Sequence, residues 1–267
     1  MPHLTFNLPA QDAEASVAEI VLANPPQNRL TAQLVDELSE AVTAIGLSQA
    51  RAVLVHAEGP DFSFGGDFTA WNDMTARELR ATFEHYLDVF NRFERLPVPV
   101  IAAVQGLCFG GGFELALRAD LILAGEGARF GHPEQTLGIT TLLGGIHRVA
   151  ERAGRARAYA WALTSEQVPA HVMADAGVIN RVVPDDELLP QSQALARRAA
   201  TGPTLAHAAH KALLHSWATG GIAAADRELF DLSVPLFATQ DVRAGLECAA
   251  AALRAGRPRP TLDFQGR

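Results

Sequence analysis

Two glutamates and a run of glycines are the residues of this sequence best suited to chemistry. Glu114 closely follows the glycine run 110–112, and Glu134 comes directly after Gly131-His132-Pro133. Two neighbouring carboxyl groups can serve as general acid and general base, because their mutual repulsion keeps one of them protonated. Glycines leave backbone N–H groups uncovered, and a helix beginning there adds partial positive charge. The pattern predicts a site for a negatively charged oxygen, although Glu114 alone equally fits a residue that only complements a helix dipole.

A second glycine pair, Gly65-Gly66, follows a predicted strand at 52–56. A glycine pair in that place is most often only a turn. The alternative is a second donor loop, in which the Gly66 N–H points toward the same oxygen as the turn at 110–112. Neither segment has the GxGxxG or GK[ST] pattern, so a nucleotide-phosphate site is not favoured.

The elements around these residues indicate an α/β protein. A strand at 17–22, a helix at 31–45 and the strand at 52–56 follow one another with short connections. Thr75 and Glu78 have the capping-box spacing and open a helix to about Arg95, whose apolar stripe we interpret as core packing. That stripe comprises Leu79, Phe83, Tyr86, Leu87, Phe90 and Phe93.

The glycine turn itself lies between a strand at 99–104 and the start of a helix near 113, with another strand at 119–124. Next come a helical region at 146–163, a cap at 164–167, a short helix at 169–177 and a strand at 178–183. From 185 onward only helices are predicted, at 187–201, 204–219, 223–237 and 240–254. This change predicts a boundary near Pro184, with an α/β unit at 1–184 that carries the site and a helical region at 185–267.

Composition bounds the class of protein. The 267 residues are 48% hydrophobic and 19% charged, and no apolar run approaches the roughly 18 residues that span a bilayer. A net charge of −8, from 22 basic and 30 acidic residues, argues against a nucleic-acid partner. Cys108 and Cys248 are too few for a disulfide framework and lack metal-ligand spacing, and the N-terminus has no export pattern. We therefore expect a cytoplasmic protein without a metal site or membrane span.

Four segments, in order, resemble the crotonase (enoyl-CoA hydratase/isomerase) superfamily. Phe62-Ser-Phe-Gly-Gly-Asp67 is similar to its FxAGxD loop, and Gln105-Gly-Leu-Cys-Phe-Gly-Gly-Gly-Phe-Glu114 to its NGxxxGGGxE segment. Phe130-Gly-His-Pro-Glu134 resembles FGxPE, and Ala176-Gly-Val-Ile-Asn-Arg-Val-Val-Pro184 resembles AGLVxxVVP. The resemblance implies a spiral of ββα units, a C-terminal helical region for trimer packing, and a homotrimer or dimer of trimers. It also implies an acyl-CoA thioester substrate, with no metal or redox cofactor.

The resemblance assigns roles residue by residue. Gly66 and Gly111 match the positions whose N–H groups form the oxyanion hole, and Glu114 and Glu134 match the two catalytic carboxylates of hydratases. We assign to Glu134 the proton exchanged at Cα and to Glu114 the water. The residues expected to contact the substrate are Arg29, Phe64, Gly65, Gly66, Asp67, Phe68, Gly110, Gly111, Pro133, Thr141 and Leu142.

Departures from the family pattern leave alternatives open. A Pro-Gly-x-Gly-Gly-Thr segment is common in hydratases, where this chain has Thr140-Thr-Leu-Leu-Gly-Gly-Ile146. Phe64 replaces a small residue beside the first donor glycine, and for Arg29 a solvated loop charge is as good an interpretation as a ligand contact. The sequence predicts an enoyl-CoA hydratase, a hydro-lyase. A Δ3,Δ2-enoyl-CoA isomerase, another acyl-CoA hydrolase or C–C lyase of the superfamily, and a non-catalytic relative are the alternatives.

Overall fold

The computed structural model describes residues 1–10 and 16–267. The strands are β1 (Leu4–Asn7), β2 (Val17–Leu22), β3 (Ala52–Ala57), β4 (Val100–Val104), β5 (Leu107–Phe109), β6 (Leu121–Gly125), β7 (Arg129–Gly131), β8 (Val168–Pro169) and β9 (Arg181–Val183). The helices are α1 (Ala32–Gly46), α2 (Ala76–Glu94), α3 (Gly111–Ala116), α4 (Gly145–Ala153), α5 (Arg155–Thr164), α6 (Ala170–Asp175), α7 (Leu188–Ala200), α8 (Thr204–Gly220), α9 (Ile222–Ser233) and α10 (Gln240–Arg254).

A six-stranded sheet forms the centre of the α/β unit, in the order β1-β2-β3-β4-β6-β9. All its pairings are parallel except that of β1 with β2. Parallel strands need cover on both faces, so they are apolar along their whole length rather than alternating. β4 accordingly has all five residues buried.

Helices cover the two faces of this sheet differently. Val53, Val55 and Ala102 belong to the large core that also takes in the buried faces of α1 and α2. Leu54 and Ile101 point the other way and pack with Leu188, Ala196 and Ala200 of α7. The first helix after Pro184 is therefore packed on the central sheet, while the division into units at 184 stays a prediction.

A second, three-stranded sheet positions the site. β5 and β7 pair in parallel, with Phe109 opposite Gly131, and β8 adds antiparallel to β7. The segments that leave the carboxyl ends of two neighbouring parallel strands emerge side by side. The glycine turn after β5 and the segment that carries Glu134 after β7 are therefore brought together, and the Gly110 N–H donates to Gly131 O over 3.0 Å.

Local signals set some of the helix ends. The Thr31 side chain accepts from Leu34 N at the start of α1, and Thr75 and Glu78 form the predicted capping box at the start of α2. The predicted helical region at 146–163 is helical and consists of two helices, because Gly154, at φ +83°, separates α4 from α5. The cap predicted at 164–167 is wrong, since that segment leads into β8 and α6 begins after Pro169 without a side-chain cap.

Two further elements differ in their bounds from the sequence prediction. The predicted strand at 178–183 shortens to β9, and the predicted helix at 223–237 ends at Ser233 and continues as a 3₁₀ turn, Val234–Ala238. The short strands β1, β5, β7 and β8 were not predicted, because strands of two to four residues carry too little periodicity to be distinguished from loops. Within the described ranges 1–10 and 16–267, none of the helices has the length and apolar character needed to cross a membrane.

Candidate active site

The glycine turn after β5 is shaped by close packing. Gly110 has φ +49° and Gly65 has φ +88°, in the region where a side chain is strained. A Cβ on Gly112 would lie 2.5 Å from Ser63 Cβ, and one on Gly65 would lie 2.8 Å from Phe109 O. Only glycine allows the two loops to approach this closely, which is the physical reason for the glycine runs in both.

The backbone amides of Gly66 and Gly111 lie beside each other. A Cβ placed on Gly111 would be 3.6 Å from Gly66 N, and one on Gly65 would be 3.0 Å from Gly111 N. Leu30 bonds to both neighbours of Gly66, since its N–H donates to Gly65 O and its carbonyl accepts from Asp67 N. The loop hydrogen bonds found in the described chain use the groups around Gly66 N and Gly111 N and leave these two amides for a ligand.

Glu114 is held by the segment that leads into α4. The residue is 2% exposed, and its Oε1 accepts from Leu143 N and Gly145 N, each over 2.8 Å. Burial raises the pKa of the Glu114 carboxyl, and the two N–H donors offset part of that rise. The side chain is thus fixed by one oxygen, and no donor among the described residues is bonded to Oε2.

Glu134 lies on the 3₁₀ turn Pro133–Leu137, beside the glycine turn. A Cβ on Gly110 would lie 3.3 Å from Glu134 Oε1, so the carboxyl packs against this glycine. Burial, with a smaller contribution from the charge of Glu114, raises the pKa of Glu134 to about 7. Near neutral pH the carboxyl group is therefore divided between its acid and its carboxylate forms.

His132 is a neutral neighbour of both carboxyl groups. It is 3% exposed, and burial lowers its pKa to about 4. Its Nδ1 lies 3.8 Å from Glu134 Oε2, which is too long for a hydrogen bond, and a neutral ring forms no ion pair. Neither ring nitrogen has a hydrogen-bond partner in the described part of the chain. The ring packs on Phe113, with the two centroids 5.0 Å apart.

One cavity brings the four predicted catalytic residues together. Its wall includes Gly66, Gly111, Glu114 and Glu134, which the sequence separates into three distant segments. Of the predicted substrate contacts, Phe64, Phe68, Gly110, Pro133 and Leu142 also line it. Sequence reasoning did not assign Leu30, Trp71, Phe83, Tyr86, Leu137, Ile139 and Leu143, which complete the wall.

Phe83 corrects the interpretation of the α2 stripe as core packing, whereas Tyr86 belongs to the core and also lines the cavity. Phe90 and Phe93, on the same stripe, are fully buried in the core. The stripe extends beyond the core over the cavity, and the Trp71 ring meets Phe83 edge to face with centroids 5.1 Å apart. Helical periodicity marks an apolar face, but it does not distinguish core from cavity wall.

The remaining predicted contacts lie around the cavity rather than on its wall. Asp67 accepts through Oδ1 from the Thr69 N–H and hydroxyl, so it braces its own loop. The Thr141 hydroxyl accepts from Ile146 N at 3.4 Å. The backbone of Gly65 lies beneath the paired amides. These positions stay predictions as substrate contacts.

Arg29 lies at the rim of the cavity, between two aromatic rings. Its guanidinium carbon is 5.7 Å from the Phe64 ring centroid and 5.3 Å from that of Phe68. Nε donates to Gln27 Oε1 over 2.8 Å and Nη1 to Gly66 O over 3.3 Å. The Arg29 guanidinium is thus held in place beside the loop that carries the Gly66 amide.

The geometry defines what the site can do. Two adjacent N–H donors can stabilise a developing oxyanion, and two inequivalent carboxyl groups in an apolar cavity can accept and deliver protons. Across the described ranges, no group of three or more His, Cys, Asp or Glu side chains is arranged to bind a metal ion.

Comparisons with known proteins identify the family of the chain. The family model for enoyl-CoA hydratase/isomerase matches residues 12–249. The 2,3-dehydroadipyl-CoA hydratase of Escherichia coli is 36% identical over 248 residues, covering 91% of each chain, and the crotonyl-CoA hydratase of Syntrophomonas wolfei is 32% identical over 238 residues, covering 88% of this chain and 92% of its own.

Solved structures extend the likeness to the whole chain. Subunit I of an enoyl-CoA hydratase from Geobacillus kaustophilus superposes with a TM-score of 0.86 at 30% identity, covering 99% of this chain and 98% of that one. An enoyl-CoA hydratase from Mycobacterium smegmatis gives 0.85 at 25% identity, covering 99% and 100%. The crotonase-like α/β fold with C-terminal helices is thereby confirmed, and the chain belongs to the enoyl-CoA hydratase/isomerase family.

Proposed function

We propose that this protein is an enoyl-CoA hydratase, a hydro-lyase that adds water across the double bond of a 2-enoyl-CoA thioester. The observation that carries the proposal is the convergence of two free amides and two carboxyl groups on one apolar cavity. An isomerase moves a proton with one carboxyl group and adds no water. A second buried and positioned carboxyl group is what hydration requires.

The two amides act on the thioester oxygen. Attack of water at Cβ places negative charge on this oxygen as an enolate forms. The Gly66 and Gly111 N–H groups belong to adjacent loops, and we assign both of them as donors to this one oxygen. One preorganised donor of this kind is worth about 3 kcal/mol of activation free energy.

Glu114 positions and deprotonates the water. Its Oε1 is occupied by the Leu143 and Gly145 amides, and Oε2 is left to accept from water. As the water oxygen bonds to Cβ, its proton passes to Glu114. The two backbone donors favour the carboxylate form of this buried group before attack.

Glu134 supplies the proton that Cα receives. A pKa of about 7 keeps a substantial fraction of the carboxyl protonated at neutral pH. The enolate collapses as Cα takes this proton, and the pair is restored when the proton gained by Glu114 is exchanged and Glu134 is protonated again. No metal or redox group has a step in this mechanism, and coenzyme A enters only as part of the substrate.

The wall of the cavity best suits an uncharged acyl chain. Apart from the two catalytic carboxyl groups, the wall is apolar or aromatic, with Phe68, Trp71, Phe83 and Leu142 among its members. No lysine, arginine or histidine is found among the described wall residues, and Arg29 stands at the rim. The wall suits a crotonyl group, as in the name of the S. wolfei relative, better than a dehydroadipyl group, which ends in a second carboxylate.

We also propose a homotrimer or a dimer of trimers. The helices after 200 leave many large apolar side chains exposed, more than an isolated soluble chain usually shows in one region. They include Leu214, Trp217, Ile222, Phe230, Phe237, Leu246 and Leu253. Light scattering coupled to size-exclusion chromatography tests this, and a monomer at micromolar concentration would contradict it. The predicted cytoplasmic location stays a prediction.

Loss of the enoyl-thioester absorbance with crotonyl-CoA tests the hydratase proposal directly. Mass spectrometry of the product should show the addition of one water. Glu114→Gln, which keeps the acceptor oxygen for both amides, should lower kcat by about 10²- to 10⁴-fold. If this variant retained activity and the wild type moved a Δ3 double bond without adding water, the isomerase alternative would replace the proposal.

A further inference from the structure

Arg118 is a fully buried cation directly after α3, outside the cavity wall. Its side chain has 0% exposure. Nη1 donates to Asn91 Oδ1 over 2.6 Å and to Glu94 Oε2 over 2.7 Å, and Nη2 donates to Leu143 O over 2.6 Å. Nε has no hydrogen-bond partner among the described residues. The Arg118 guanidinium thus joins Asn91 and Glu94 of α2 to the backbone of the segment that leads into α4.

Arg118 bonds to a residue whose own N–H holds Glu114. Leu143 donates its N–H to Glu114 Oε1, while its carbonyl accepts from Arg118. Arg148 makes the parallel contact, since its Nη1 donates to Gly144 O over 3.3 Å and the next N–H, of Gly145, donates to Glu114 Oε1. The amide sides of this segment thus face the carboxylate, and its carbonyl sides face the two arginines.

Glu94 joins the two arginines. Besides its contact with Arg118, it accepts from Arg148 Nε over 3.0 Å and from Nη2 over 2.6 Å. The arginine contacts lower the pKa of Glu94, although its burial alone would raise it. The three side chains form a rigid support on the side of the segment opposite Glu114.

We propose that Arg118, braced by Glu94 and paired with Arg148, is a positioning residue that fixes the Leu143–Gly145 amides against Glu114. The proposal rests on the proposed function in that it assigns Glu114 the handling of water. It adds a residue that touches neither substrate nor carboxylate. The segment Leu142-Leu143 differs from the Pro-Gly turn common in the family, and the buried arginine stabilises this altered segment through its carbonyl.

The charges around Glu114 determine whether loss of Arg118 raises or lowers the pKa of Glu114. Arg118 and Arg148 lower the pKa of Glu114, against the larger effect of burial, and His132 beside it is neutral. Glu134 shares the cavity, and its negative charge opposes ionisation of Glu114, as the negative charge of Glu94 behind the arginines does at longer range. Burial lowers the pKa of Arg118 to about 10, so it remains charged at neutral pH. Removing its charge should therefore raise the pKa of Glu114.

Arg118→Met tests the proposal with crotonyl-CoA as substrate. We expect kcat to fall by about 10- to 100-fold, as when a supporting residue behind a fixed ligand is lost, with KM changed less than about threefold. We expect the acidic limb of the kcat/KM profile to move to higher pH, because that limb reports the ionisation of Glu114 in the free enzyme. Arg118→Lys should leave the acidic limb near its wild-type pH, because the positive charge is kept. It should still lower kcat, because lysine lacks the planar guanidinium group.

Arg152→Met is the matched control. Arg152 also donates to backbone carbonyls, of Leu117, Ala119 and Val178, but makes no contact with Leu143 or Gly144. It should lose stability without moving the acidic limb. Glu94→Gln provides a second variant if Arg118→Met does not fold. Glu94→Gln leaves the positive charges of Arg118 and Arg148 uncompensated, which should lower the pKa of Glu114. The acidic limb of this variant should therefore move to lower pH, in the opposite direction to that of Arg118→Met.

The pKa of Glu114 in the wild type and in these variants can also be compared without an activity assay, by ¹³C NMR titration of the Glu114 carboxyl carbon. The inference would be overturned if Arg118→Met and Arg152→Met had the same pH profile of kcat/KM, or if the titration showed the same pKa of Glu114 in Arg118→Met as in the wild type. Either result would leave the hydratase proposal standing. An inactive wild type whose Glu114 still titrates higher in Arg118→Met would refute the hydratase proposal alone.

Discussion

Glu134→Gln should raise the stability of the protein at alkaline pH relative to that at acidic pH, while it removes the hydration activity. In the wild type, Glu134 is 8% exposed and its pKa is raised to about 7, chiefly by burial and secondarily by the charge of Glu114. Above this pH the fold must hold a buried carboxylate. Glutamine has nearly the same shape and carries no charge at any pH, so the substitution isolates the cost of that charge.

The magnitude follows from proton linkage. The folded-state pKa of about 7 lies above the ordinary value of 4.5, so the stability from the protonated carboxyl is fully present below pH 4.5 and is lost as pH rises through 7. The cost is about 3 kcal/mol at pH 8 and less than about 1 kcal/mol at pH 5. Burying the glutamine amide costs about 1 to 3 kcal/mol, but equally at both pH values. The effect of the substitution on the free energy of unfolding should thus be more favourable at pH 8 by about 2 to 3 kcal/mol.

Thermal denaturation of wild type and variant at pH 5 and pH 8, at one protein concentration, measures this difference. For a chain of this length, about 2 to 4 °C per kcal/mol gives a Tm change that is about 5 to 10 °C more favourable at pH 8. Glu40→Gln, on the exposed side of α1, is the control and should show the same Tm change at both pH values. Hydration by Glu134→Gln should fall by about 10²- to 10⁴-fold. A Tm change equal at both pH values would refute the idea that Glu134 is held protonated by its surroundings.

Three further predictions address the other parts of the site. Gly111→Ala places a Cβ 2.7 Å from Leu30 Cδ1 and 3.6 Å from Gly66 N, between the two amides, and should lower kcat/KM by about 10²- to 10³-fold in the crotonyl-CoA assay. Gly46→Ala, where nothing lies within 4 Å of the added Cβ, should leave it unchanged, and equal losses in both variants would point to a folding defect instead. The kcat/KM for hydration should decline as pH rises above about 7, because Glu134 must be protonated, and initial rates still rising beyond pH 8 would require another role for this residue. Crotonyl-CoA should exceed 2,3-dehydroadipyl-CoA in kcat/KM by at least about tenfold, since an unpaired carboxylate in the apolar wall costs several kcal/mol, and equal values would show that a cation reaches the acyl end.

Much of the fold was predictable because its signals are local. β4 reads as an uninterrupted apolar run, and the capping box of Thr75 and Glu78 depends on two residues three positions apart. The motif glycines were predictable for the same reason, since a positive φ or a close backbone approach excludes side chains. The predictions that failed concern elements that are short or that depend on residues distant in the sequence. β5 and β7 have three residues each, and their pairing is what places the two loops of the site side by side.

The sequence alone determined the chemical groups of the site and, through its motifs, the family. It named Gly66, Gly111, Glu114 and Glu134 because the glycine turns and carboxyl groups stand in recognisable segments. Only the tertiary structure decided the state of these groups. The pKa of Glu134, the aromatic wall formed by α2, and the arginines behind Leu143 all depend on residues far apart in the chain. Desolvation and charge act through space, and sequence spacing does not encode the distances that they require.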